Sequence, residues 1–297
     1  MPSTVLLTGA SSQLGVFLLP RLKAANFRVI AISRKAPSVP LEIEDRIRWQ
    51  QPGPAEAQVR YLVSCGPLEL ACEQVQVNQK LKRVVAFSTS STLTKADSHN
   101  RAEERQITGI IENEKRLKKQ CEERDIPLLL IRPTLIYGCG LDRNVSLLAR
   151  FGRRFGFIPV ASNAAGLRQP VHADDLAAVA VSALLAATPV RLESMACGGS
   201  TLPYKEMAKK TAAASGNGVR ILAISPWVLL ATVRLASNFS AFRGINPEMV
   251  RRQCKDMTFD DSRLREVLPY APRPFDPVPA DFEIPVAASQ LQLNTAT

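Results

Sequence analysis

Thr8-Gly9-Ala10-Ser11-Ser12-Gln13-Leu14-Gly15 follows an apolar run, Val5-Leu6-Leu7, and leads straight into an amphipathic one. That setting reads as strand, tight turn and helix. Gly9 and Gly15 let the backbone turn sharply and let the helix pack closely on the strand, while free N–H groups at the helix start face a pyrophosphate. Thr8, Gly9, Ser11, Ser12, Gln13, Leu14 and Gly15 are therefore candidate contacts for a dinucleotide cofactor. Ser12 stands where a glycine is expected, so an ordinary glycine-containing turn is the alternative. The next apolar run, Phe27 to Ile32, ends in Ser33-Arg34-Lys35 with no acid to hold a ribose 2′-hydroxyl. Arg34 can fork onto phosphate oxygens and stack on adenine, so this end suits a 2′-phosphate, and NADP is favoured over NAD. Two solvated surface cations are the alternative there.

Around these residues the chain alternates as a parallel sheet requires. Thr4 to Thr8, Phe27 to Ile32, Arg46 to Gln50, Arg60 to Ser64, Arg83 to Phe87 and Ile126 to Ile131 read as six strands. Leu68 to Lys80 and Arg101 to Arg124 read as helices, and the Pro/Gly stretch between strands three and four is too short for a full crossover helix. The expected class is α/β, a doubly wound parallel Rossmann sheet with a smaller, mixed C-terminal lobe. Residues 1–134 form the cofactor unit and 171–199 return to it; 135–170 and 200–287 make the lobe, and 288–297 a flexible tail. Ser64 closes the fourth strand, and Pro133 ends the ladder of the sixth. Gly138 and Gly140 then permit a turn over a ligand, so Ser64 and Pro133 are cofactor-side candidates.

At 297 residues, with 46% apolar and 22% charged residues, the composition is that of an ordinary globular protein. The net charge of +11 is spread along the chain without basic-aromatic interleaving, which points to an anionic small ligand rather than nucleic acid. Six cysteines form no C-x-x-C pair and have no companion histidine cluster, so reduced thiols and no metal are expected. The longest apolar stretch, Ile221 to Ala236, is short of a membrane span and reads as one helix of the lobe. Its Trp227, Leu230 and Val233 face reads as core packing, with peripheral membrane contact as the alternative. No targeting signal precedes the glycine turn, and the cytoplasm is the expected compartment.

Four patterns in order resemble the extended branch of the short-chain dehydrogenase/reductase superfamily, the NAD-dependent epimerase/dehydratase group. They are the turn from Gly9 to Gly15, then Phe87-Ser88-Thr89-Ser90-Ser91, then Ile131-Arg132-Pro133-Thr134-Leu135-Ile136-Tyr137-Gly138, and finally Gly166 to Ala177. Asp260 to Phe275 resembles the family's C-terminal segment. The resemblance implies that Ser90, with Thr89, holds a substrate oxygen. It also implies that Arg168 contacts a substrate diphosphate, with Asn144 a second substrate-side residue. Val171-His172-Ala173-Asp174-Asp175 reads as a helix start, with Asp174 or Asp175 as N-cap. A homodimer through the helices after strands four and five is one reading of their apolar faces, and packing on the sheet is the other.

One departure concerns the chemistry. The superfamily moves its proton with a Tyr-x-x-x-Lys pair on the helix after strand five, and the tyrosines here are Tyr61, Tyr137, Tyr204 and Tyr270, none on that helix. Alignment back from Arg132 sets the pair at Gln106 and Ile110 or at Ile107 and Ile111; a shifted alignment keeps Lys115 but puts Ile111 at the tyrosine. Lys115 and Tyr137 are the remaining catalytic candidates, with a solvated face and a structural tyrosine as their bland readings. Two functions follow. The first is an NADP-preferring oxidoreductase or epimerase-like enzyme acting on a nucleotide sugar or similar anion. The second is a non-catalytic cofactor-binding regulator or scaffold subunit.

Overall fold

In a computed structural model, which describes residues 2–34, 46–53, 59–94, 101–216, 218–236 and 247–285, the apolar runs become strands whose alternate residues feed opposite faces. Strands β1 (Thr4–Thr8), β2 (Arg28–Ile32), β3 (Ile47–Gln50), β4 (Tyr61–Ser64), β5 (Arg83–Phe87) and β6 (Leu128–Pro133) follow the expected segments within two residues. Val5, Leu7, Val63, Val85, Phe87, Leu129 and Ile131 project into one core, and Leu6, Leu62, Val84, Ala86 and Leu130 into the other. Both faces are covered, which is why the strands are apolar throughout rather than alternating.

The sheet has seven parallel strands, not six. Strand β11 (Leu192–Ala196) pairs with β6, giving the order β11-β6-β5-β4-β1-β2-β3. Helices α1 (Gln13–Ala24) and α6 (Ala173–Leu185) pack together on one face, and α2 (Leu68–Val77) and α4 (Arg101–Glu123) on the other; α3 (Ser91–Thr94) is a single turn after β5. Helix α6 is alanine-rich and buried for nearly its whole length. Its C-terminal carbonyls, at Ala183, Leu184 and Ala186, are gathered by the Arg83 guanidinium. The residues between β3 and β4 at 54–58, and the tail at 288–297, lie outside the described residues.

The lobe is built from α5 (Val145–Phe155), α7 (Tyr204–Ser215), α8 (Pro226–Ala236) and α9 (Pro247–Arg252) around a parallel pair, β8 (Phe157–Ala161) and β13 (Arg220–Ile224). Two short ladders stand apart from the seven-stranded sheet. The parallel one pairs β7 (Ile136–Tyr137) with β10 (Val171–His172), and the antiparallel one β9 (Leu167–Arg168) with β12 (Leu202–Pro203). Helix α10 (Ser262–Val267) and a 3-10 turn at Pro279–Phe282 complete the described chain.

Two local expectations are corrected. Ile221 to Ala236 is not one helix: residues up to Ile224 form β13, and Pro226 opens α8 at its first position, where a missing N–H and a fixed φ cost nothing. The N-cap of α6 is neither Asp174 nor Asp175 but His172, whose Nδ1 accepts from the Asp174 amide at 3.1 Å. That leaves a proton on Nε2, which faces Asp281 Oδ1 at 3.1 Å. Both aspartates sit in the first turn, where Asp174 binds Arg21 and Arg273, and Asp175 binds Arg273.

Candidate functional site

The C-terminal ends of β1, β2 and β4 meet at the glycine turn. Thr8 Oγ1 donates to Ser64 Oγ at 2.9 Å, and the hydroxyls of Ser11 and Ser33 lie 2.6 Å apart. Gly9 has φ +71°, and a Cβ on it would stand 2.5 Å from the Gly66 nitrogen; one on Gly15 would stand 2.4 Å from the Ala10 carbonyl oxygen. Neither position can carry a side chain, as a turn pressed this closely between strand and helix requires. Ser12 is extended, with φ −75°, so its side chain is unstrained, and its Oγ accepts from the Gly15 amide to cap α1. The amides of Gln13 and Leu14 have no acceptor among the described residues, so the helix start keeps donors for an anion. The turn therefore fits a pyrophosphate, with a capping hydroxyl where a bare glycine would let the backbone come closer. Arg34 is exposed at the end of β2, and Lys35 lies outside the described residues.

Beside this turn opens a cavity of about 390 Å³, within the size of small-molecule sites. Gln13 forms part of its wall and donates to the Gly138 carbonyl at 2.7 Å, tying the start of α1 to the loop after β7. Thr89 and Ser90 line it from the segment after β5, Ser91 and Thr94 from α3, Thr134 from just past β6, Asn144 from the N-cap of α5, Leu148 from α5, and Arg168, Tyr204 and Arg252 from the lobe. Five residues expected in a site from sequence, Gln13 on the cofactor side and Thr89, Ser90, Asn144 and Arg168 on the substrate side, thus line one space. Ser90 Oγ has no partner among the described residues, whereas Thr89 Oγ1 accepts from the Ser91 amide at 3.1 Å.

Arg168 is 5% exposed and holds the lobe together. Its guanidinium donates to the carbonyls of Leu167 and Lys255, at 2.7 Å each, and to that of Arg252, and it lies over the Tyr204 ring. Among the described residues no carboxylate forms an ion pair with it and Nε and one Nη2 hydrogen have no acceptor; burial lowers its pKa, with the Asp256 carboxylate among the groups opposing. Arg143 is exposed at the rim, and Arg252 is paired with Glu103 at 3.1 Å. Asp142 accepts from the amides of Asn144 and Ser146, both at 2.9 Å, and so shapes the start of α5. Arg143 and Arg168, neither of them ion-paired among the described residues, and one hydrogen-bonded carboxylate, Asp142, leave the cavity wall with a surplus of positive charge.

The other candidates fall outside it. Tyr137 is buried between His172 and Phe275, with ring centroids at 5.0 and 4.9 Å, and burial raises its phenol far above the ordinary value. Lys115 is exposed on α4, one residue past Glu114, which turns inward to Arg132 with Nε–Oε1 at 2.9 Å. Gln106 is exposed, Ile107 buried, and Ile110 and Ile111 half-buried; α4 contributes no residue to the cavity wall. Pro133 and Ser64 are buried behind it. Sequence reasoning missed Tyr204, the one phenol in the wall. Burial pushes it up to about 12, Arg168 opposing, and its hydroxyl has no acceptor among the described residues. Its only signal was its place opening a helix after Pro203. Among the described residues no three His, Cys, Asp or Glu side chains form a metal-holding cluster.

No protein-family model and no curated protein matches the sequence. Solved structures do match in shape. A UDP-glucuronic acid 4-epimerase from Bacillus cereus, in complex with UDP-glucuronic acid and NAD, superposes with a TM-score of 0.68 at 13% identity, covering 97% of this chain and 99% of that one. The fold is that of the UDP-sugar epimerases. Epimerase Mth375 from Methanothermobacter thermautotrophicus gives a TM-score of 0.68 at 12% identity, covering 95% and 90% of the two chains. A UDP-N-acetylglucosamine 4-epimerase, also from Bacillus cereus, gives 0.66 at 12%, covering 95% and 94%. The epimerase fold therefore extends through sheet and lobe alike, at identities that speak for shape alone.

Proposed function

We propose that the protein is a nicotinamide-dinucleotide-dependent oxidoreductase of the epimerase/dehydratase kind, NADP-preferring, acting on a nucleotide sugar or a similar anion. The observation that carries this reading is the single cavity that joins Ser90, beside the glycine turn, to the arginines of the lobe. In this reading Ser90 Oγ holds a substrate oxygen and Arg168 and Arg143 hold a diphosphate, which their shared cavity supports. The Tyr204 hydroxyl, in the same wall, would donate a hydrogen bond to a substrate oxygen. A bound nicotinamide would supply or accept hydride, while the chain's own groups orient the substrate and exclude water. Ser33 and Arg34, in place of an acid at the end of β2, support NADP.

A second reading, a cofactor-binding regulator or scaffold without turnover, is favoured by one specific feature. α4 carries no tyrosine, and Tyr137 is sealed away. A thermal-shift titration with NADPH, NADP, NADH and NAD, followed by a scan for NADPH oxidation over UDP-sugars and keto-sugars, separates the two. Selective stabilisation by NADP(H) with turnover establishes the enzyme, stabilisation without turnover the regulator, and no stabilisation by any dinucleotide rejects both. Arg34→Ala should weaken NADPH far more than NADH; equal losses would remove the 2′-phosphate role.

A further inference from the structure

Helix α8 carries its large apolar residues on the outside. Trp227 is 82% exposed, Val228 57% and Leu235 68%, while Leu229 and Val233 face the lobe core. With Ala231, which is also exposed, these positions fall within about a 100° arc of the helix, so the outward stripe is continuous. Next to it, β13 exposes Leu222, and the end of α5, beside the start of β13, exposes Phe155.

The charge around this face is mostly positive, and its nearby acids are paired: Glu248 of α9 with Arg251, and Glu283 with Arg153. Residues 143–173, which contain α5 and β8, and residues 207–236, which contain β13 and α8, hold no aspartate or glutamate. These two segments pair through β8 and β13. Arg154 and Arg220 are exposed there with no carboxylate partner among the described residues. A second copy of the chain docked through the same face would bring one basic rim up to another, since a two-fold contact uses the same patch on both subunits. An apolar stripe rimmed by free cations, with an indole at its most exposed position, is instead complementary to an anionic lipid surface.

We infer that the α8 face of the lobe docks on an anionic membrane surface, with Trp227, Val228 and Leu235 entering the headgroup boundary and Arg154 and Arg220 meeting lipid phosphates. Among the described residues no helix is long and apolar enough to cross a membrane, so the helix lies along the surface. This inference is independent of the reading of the cavity.

The test is co-sedimentation of the full chain with phosphatidylcholine vesicles, with and without phosphatidylglycerol, at low and high salt. Binding is expected to the anionic vesicles and to be weakened by salt. The paired change Trp227→Ala with Leu235→Ser should lower it by about tenfold or more, and Arg154→Gln with Arg220→Gln should remove most of its salt dependence. All four side chains are exposed, and an unchanged thermal midpoint checks that each variant is folded. Absence of binding to anionic vesicles, equal binding to neutral ones, or binding that neither pair alters overturns the proposal. Concentration-dependent self-association abolished by the Trp227 pair, without vesicle binding, overturns it in favour of a second copy.

Discussion

Arg168 serves two masters at the residue scale, holding three backbone carbonyls and facing the cavity. Removing it should therefore unfold more than a site: Arg168→Ala is expected to cost about 3 kcal/mol, because the carbonyls at 167, 252 and 255 lose their donor in a buried setting. Arg143→Ala gives the cleaner binding test. It should leave the thermal midpoint unchanged while reducing the protection conferred by UDP-sugars; unchanged protection would take Arg143 out of the substrate site. Tyr137, Tyr204 and Tyr270 are all raised by burial, so at about pH 11 the phenolate absorbance should fall well short of the four tyrosines in the chain. Their folded forms keep protons that the unfolded chain loses above about pH 10, so stability should fall as pH rises beyond that point. Ser90 and Arg168 were legible in the sequence because each sits in a distinctive run. Tyr204 was not, since a lone tyrosine after a proline carries no periodic or motif signal and gains meaning only when the lobe folds against Arg168.

Between elements, the decisive contacts are ion pairs. Glu114 on α4 meets Arg132 on β6, and Arg132 reaches Glu193 on β11 at 2.5 Å, which Lys118 also holds at 2.7 Å. Glu114→Ala should destabilise by about 2 kcal/mol in denaturant titration, since the mostly buried Arg132 loses its two hydrogen bonds to Glu114 and keeps Glu193 as its remaining carboxylate. Desolvation pulls Glu193 upward, but hydrogen bonds from Lys118 and Arg132 outweigh it and lower its pKa. Its contribution is therefore present above about pH 4.3, the ordinary glutamate value, and is lost as pH falls through the lower folded value. Glu193→Gln should flatten that part of the acid unfolding curve. Ser12→Gly should cost only a few tenths of a kcal/mol, glycine being an acceptable cap, and should tighten dinucleotide binding. Looser binding would mean that the hydroxyl itself contacts the cofactor. The strands were readable because burial on both faces leaves uninterrupted apolar runs. The 221–236 segment was not, because a strand running into a proline-started helix shows no polar break, and only pairing with β8 divides it.

At the scale of the whole molecule, the sheet is completed by an edge strand that arrives late. β6 ends at Pro133, and its outer neighbour β11 begins at Leu192, after the first elements of the lobe and all of α6 have been made. On the ribosome the edge of Leu128–Pro133 must therefore wait, with its amides and carbonyls unpaired and an apolar strand on display, until some sixty more residues have emerged. Chain length during synthesis thus sets which edge is on display: a product ending near residue 190 would hold nearly every cofactor-side candidate and still present β6 as an open template for aggregation, whereas one extended past Ala196 pairs β6 and leaves β11 as the outer strand, its Glu193 held by Lys118 and Arg132.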